Sequence, residues 1–138
     1  MKRVLFICTK NSARSQMAEG LVNHDLAGKV HASSAGTEPS RVHPMAVTVM
    51  RELGIDIALH RSKSINEFAS EKFDFVMTLC DQAAEACPVF FGGMQRMHMG
   101  FPDPVTVTGS EEEKLSAFRK VRDQIREQIV GFLRKENP

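Results

Sequence analysis

The feature that most constrains this chain is an unbroken apolar run, Val4-Leu5-Phe6-Ile7-Cys8. A strand that alternates apolar and polar residues can leave one face in water, whereas a strand apolar at every position must be buried on both. Residues 14 to 27 then change to helical spacing, with Met17, Ala18, Leu21, Val22 and Leu26 on one stripe. A doubly buried strand that passes through a short loop into a helix is the opening unit of a parallel sheet covered by helices.

The alternation continues along the chain. Val30 to Ser34 reads as a second strand ended by Ala35-Gly36, and Pro44 suits the first turn of a helix running to about Leu53, which Gly54 closes. Ser64 and Glu67 have capping-box spacing for a short helix, Phe73 to Leu79 reads as a buried strand leading into Cys80, and Met94 to Met99 as the last strand. Ser110 and Glu113 repeat the capping box before a long helix whose apolar positions Leu115, Phe118, Val121, Ile125, Ile129, Phe132 and Leu133 form a core stripe. The expected architecture is α/β, a three-layer sandwich around a central four-stranded parallel sheet, with sites at the carboxyl ends of the strands. At 138 residues and 42% hydrophobic composition the chain has material for one core rather than two, so residues 1–138 are read as a single domain.

A formal net charge of +1, with Lys and Arg spread along the chain, lacks the basic excess that nucleic acids or anionic membranes select. The apolar run after Met1-Lys2-Arg3 is too short for a signal-peptide core or a membrane span, which leads us to expect a cytoplasmic protein without membrane partners. Three cysteines are too few, and odd in number, for a structural disulfide framework. No C-x-x-C occurs and the five histidines are scattered without ligand spacing, so zinc is not expected either. Catalytic or redox thiols remain.

Cys8-Thr9-Lys10-Asn11-Ser12-Ala13-Arg14-Ser15 sets a thiol at a strand end and an arginine at the following helix start. A short loop there can curl so that several backbone N–H groups aim at one tetrahedral oxyanion, with Arg14 adding a planar, bidentate grip. The helix dipole and Arg14 favour a Cys8 thiolate, and the Ser15 hydroxyl can donate to it. Asn11 suits a loop position with positive φ.

Cys8 to Ser15, continuing through Gln16-Met17-Ala18-Glu19, resembles the phosphate-binding loop and first helix of the low-molecular-weight protein tyrosine phosphatase superfamily. Within it the thioredoxin-coupled arsenate reductases are most similar. The likeness extends through Ser34-Ala35-Gly36, Gly54-Ile55-Asp56-Ile57, His60-Arg61-Ser62, Thr78-Leu79-Cys80 and Asp103-Pro104, nearly the whole chain. Lys10 departs from it, since many relatives carry glycine there; a solvated side chain is the preferred reading.

The resemblance implies an oxyanion site made of Thr9, Lys10, Ser12, Ala13 and their neighbours, with Cys8 as nucleophile and Asp103 as general acid. It further implies arsenate as substrate and a disulfide cascade, first Cys8–Cys80 and then Cys80–Cys87, discharged by thioredoxin, a glutaredoxin or a low-molecular-weight thiol. The chain is taken as a monomer with no cofactor. Potassium binds beside the loop in some relatives, and Asn11, Glu19 and Ser34 match its ligand positions, but Lys63 stands where an aspartate would be, so no metal is expected. A solvated Lys63 is the competing reading.

Two other functions stay open. A phosphatase would use Cys8, Arg14 and Asp103, with Cys80 and Cys87 protecting Cys8 from oxidation, although the absence of any Tyr removes the aromatic wall that phosphotyrosine enzymes place after their Asp-Pro. A redox-sensing or anion-binding module would leave Asp103 without a purpose. Cys80 and Cys87 are seven residues apart, about 10 Å along a regular helix, so joining them requires the intervening residues to leave helical form.

Overall fold

The computed structural model describes residues 1–80 and 95–137. Cys87 and the expected start of the last strand at Met94 lie outside them. Four strands, β1 (Lys2–Cys8), β2 (Val30–Gly36), β3 (Phe75–Thr78) and β4 (Gln95–His98), form one sheet in the order β2-β1-β3-β4, every pairing parallel. Val4, Leu5, Phe6 and Ile7 are fully buried, as a central strand covered on both faces must be. Strand edges differ from the sequence reading by a residue or two: β1 starts at Lys2, β2 includes Ala35-Gly36, and β3 is shorter than Phe73 to Leu79.

Helices α1 (Arg14–Asp25), α2 (Pro44–Arg51) and α3 (Glu111–Ile125) pack against one another. Both expected capping boxes form, Ser64 with Glu67 on a single 3₁₀ turn, Ile65–Phe68, and Ser110 with Glu113 on α3. Gly54 follows α2 with φ of +76°, a conformation that suits a helix end and that side chains resist. Beyond Ile125 the chain passes through a π turn, Arg126–Val130, into α4 (Gly131–Glu136). The cause is legible in the apolar spacing: Val121, Ile125, Ile129 and Leu133 are four apart, whereas an α-helix turns every 3.6 residues, so the stripe drifts by about 40° at each step. One widened turn brings Ile129 and Leu133 back to the core, where both are fully buried.

Candidate active site

Cys8 ends β1, α1 starts at Arg14, and the loop between them is shaped from outside by the segment that follows β2. Backbone N–H groups of Glu38, Ser40 and His43 donate to the carbonyls of Thr9 (2.8 Å), Lys10 (3.1 Å) and Ser12 (3.0 Å). Because a trans peptide holds N–H opposite C=O, the N–H groups of Lys10, Asn11 and Ala13 are thereby turned inward, toward the Cys8 side of the loop. Asn11 takes the expected left-handed conformation, φ 48°, and is completely buried. The loop backbone also rests on Gly36: a Cβ there would lie 2.6 Å from the Thr9 carbonyl oxygen and 2.9 Å from the Asn11 nitrogen. Glycine is the residue that lets these two backbones approach.

The polar contacts inside the loop have a definite direction. The backbone N–H of Lys63, which can only donate, lies 2.8 Å from Asn11 Oδ1, and Gln16 Nε2 is 2.9 Å from the same atom. The other end of the Asn11 amide is therefore NH₂, and it donates to Ser15 Oγ at 2.7 Å. Ser15 accepts from Asn11 and has its own proton free for Cys8 Sγ, 2.9 Å away. Cys8 and Ser15 are both buried, so this bond is sheltered from water.

Arg14 is mostly buried, its Nη1 donating to the Phe101 carbonyl at 3.1 Å and its Nη2 lying 3.5 Å from Asp103 Oδ2. Asp103 Oδ1 accepts the Val105 N–H at 3.0 Å, capping a 3₁₀ turn, Pro104–Thr106. The Asp-Pro is thus a rigid turn that also holds a carboxylate oxygen at the site. A cavity of about 390 Å³ is lined by Cys8, Thr9, Lys10, Ser12, Ala13, Arg14 and Asp103 from the expected set, together with Ser40, Arg41, His43 and Val105. Lys10 has a largely exposed side chain, its nearest carboxylate Glu38 at 4.0 Å, in agreement with the solvated reading.

Cys80 is buried two residues beyond β3, its Sγ 3.2 Å from Thr9 Oγ1, and both Cys8 and Cys80 are free thiols. Thr9, expected only as part of the oxyanion loop, thus also contacts a second cysteine. His43 was not anticipated. It caps α2 by accepting the Met45 N–H on Nδ1 at 3.1 Å and stacks on Phe118 with ring centroids 4.9 Å apart. Burial, and then the neighbouring Arg41 charge, hold its pKa below the ordinary histidine value against the opposing pull of Asp103. An uncharged His43 can keep its capping role beside two charged residues.

Residues 3–137 match the family model described as low molecular weight phosphotyrosine protein phosphatase. The arsenate reductase of Halalkalibacterium halodurans is 44% identical to this chain over 95% of it and 94% of its own length. That of Bacillus subtilis is 42% identical over the same shares. Among solved structures, an arsenate reductase in the phosphate binding state superposes with a TM-score of 0.83 at 38% identity, covering 98% of each chain. A low molecular weight protein tyrosine phosphatase from T. tengcongensis gives 0.78 at 26% identity, covering 98% of this chain and 99% of its own.

Proposed function

This chain belongs to the low molecular weight phosphotyrosine protein phosphatase family, and from that premise we propose that it reduces arsenate to arsenite with Cys8, Cys80 and Cys87. The observation that carries the proposal is the second buried thiol, Cys80, tied to the loop through Thr9. Phosphate-ester hydrolysis does not need it, whereas reduction needs a thiol able to attack Cys8.

Cys8 thiolate, stabilised by Ser15, attacks arsenic while backbone N–H groups and Arg14 hold the other oxygens. Asp103 protonates the departing oxygen, which leaves as water, and a Cys8–arsenate adduct results. Cys80 thiolate then attacks Cys8 Sγ; the S–As bond breaks, its electron pair stays on arsenic, and arsenite departs from a Cys8–Cys80 disulfide. The Thr9 hydroxyl can donate to Cys80 Sγ and so help to orient it. Cys87 attacks Cys80, freeing Cys8, and an external dithiol reduces the Cys80–Cys87 pair. Thioredoxin is the expected donor and the cytoplasm the expected compartment, in which the chain acts as a monomer. No helix among the described residues is long and apolar enough to cross a membrane.

The test couples NADPH consumption to arsenate through thioredoxin and thioredoxin reductase, beside aryl phosphate hydrolysis. Cys8→Ser should abolish both activities. Cys87→Ser should release about one arsenite per enzyme and stop as the Cys8–Cys80 disulfide, its hydrolase activity before oxidation intact. Sustained thioredoxin-driven turnover by Cys87→Ser would sink the scheme. A second reading, hydrolysis of small phosphate esters, is favoured by the cavity, which at about 390 Å³ has room for more than a bare oxyanion.

A further inference from the structure

Next to the oxyanion loop, made of residues that do not line the cavity, lies a second polar layer. Glu19 is buried on α1, and its Oε1 accepts the Ser34 hydroxyl at 2.8 Å while Oε2 faces His60 Nδ1 at 3.2 Å. His60 Nδ1 is also 3.1 Å from Gln16 Oε1. Both its neighbours are acceptors, so this nitrogen carries a proton and the ring donates to them. The Lys63 ammonium completes the layer, 3.6 Å from Glu19 Oε1 and 3.1 Å from the Arg61 carbonyl oxygen, on a side chain only 13% exposed. Lys63 is not solvated; it is the counter-charge of a buried carboxylate.

The same residue holds the loop. Its backbone N–H donates to Asn11 Oδ1 at 2.8 Å, and its carbonyl accepts from Gly36 at 2.8 Å. Gln16, donating to Asn11 and accepting from His60, joins the two layers. A metal ion fits poorly here, because Asn11 Oδ1 is already engaged by two N–H donors and an ammonium stands at the Glu19 carboxylate. We propose that Lys63 is a built-in counter-cation and a positioning residue, which fixes Glu19 and Asn11, and through them the loop, so that this chain needs no alkali metal.

The charge balance of this layer makes an unusual demand on mutants. Removing the ammonium leaves Glu19 carboxylate, Ser34 hydroxyl and Arg61 carbonyl oxygens around a gap, an all-oxygen donor set of the kind that hard cations accept. Lys63→Asp adds a further carboxylate and should convert the gap into a potassium site, whereas Lys63→Met should leave an uncompensated buried charge that potassium relieves much less. Lys63→Arg keeps the charge and should behave nearly as the parent.

The experiment compares thermal melting and inorganic phosphate affinity in potassium chloride and in choline chloride at equal ionic strength. The parent and Lys63→Arg should give the same values in both salts. Lys63→Asp should melt about 5 °C or more below the parent in choline and recover most of that loss, and of its phosphate affinity, in potassium. Lys63→Met should melt low in both. A parent protein stabilised by potassium, a Lys63→Asp variant indifferent to it, or a Lys63→Met variant as stable as the parent would each overturn the proposal. If Lys63→Asp fails to fold in choline, its recovery of folding in potassium supports the proposal, and failure in both salts refutes it. These readouts involve neither Cys80 nor arsenate, so they succeed or fail independently of the reductase reading.

Discussion

Gly36→Ala should damage the active site while leaving the protein folded, and the size of the effect can be worked out in advance. Gly36 ends β2 opposite Cys8 in the ladder, and its missing Cβ is what admits the loop. The added methyl would lie 2.6 Å from the Thr9 carbonyl oxygen, 2.9 Å from the Asn11 nitrogen and 3.0 Å from Asn11 Cβ. Ordinary contact is about 3.5 Å, so strand and loop must separate by roughly 0.5 to 0.9 Å. Neither side yields easily: Gly36 is bonded to Lys63, and the Thr9 carbonyl to Glu38, both at 2.8 Å. Overpacking of this kind costs about 1–3 kcal/mol of stability. A displacement near 1 Å in groups that position a reacting atom costs about 10²-fold in rate. The assay pairs urea melts with arsenate-dependent turnover and phosphate binding on the same sample. A folded variant whose turnover and phosphate affinity stay within about threefold of the parent would refute the claim that loop geometry depends on this close approach.

Asp103→Asn should slow formation of the covalent adduct while phosphate affinity stays within about a few-fold, because a general acid acts mainly in the transition state; a large binding loss with unchanged chemistry would make Asp103 a positioning residue instead. Thr9→Val should slow arsenite release after the adduct forms and leave adduct formation nearly unchanged, since Thr9 Oγ1 touches Cys80 at 3.2 Å; rapid-quench measurement of both steps separates the two. His43→Asn keeps a capping acceptor but cannot titrate, so it should flatten the acid side of the stability profile. With the native pKa of His43 lowered, the unfolded chain binds the proton first, and the parent should lose stability as pH falls below about 6.5 toward that lowered value. Parallel urea melts of parent and variant across this range should therefore differ in slope, and equal slopes would show that the fold does not hold His43 below its ordinary pKa.

What could be read in the sequence depended on whether a residue's own chemistry declared its role. The all-apolar run Val4 to Cys8 could only be a doubly covered strand, and Asn11 is one of few residues at ease with φ of 48°. The capping boxes at Ser64 and Ser110 are local patterns and appear as expected. The bracing of the loop by Glu38, Ser40 and His43 was invisible because it is made by backbone N–H groups, which every residue but proline has. On α1, Gln16 and Glu19 lie among the apolar positions, yet both are buried. Helical periodicity would send such residues toward water, and only the partners supplied from afar, Asn11, Ser34, His60 and Lys63, make their burial tolerable. A buried Glu19 without Lys63 would be a liability, and a buried Lys63 without Glu19 another. Neither residue signals its environment alone; the resemblance set Lys63 beside Glu19 but left a solvated Lys63 open, and the ion pair is decided only once β2 and the chain after α2 are folded against α1. The loop around Cys8 therefore rests on a polar layer that helical periodicity does not announce, because the bonds that hold Asn11 and Glu19 come from residues far along the chain.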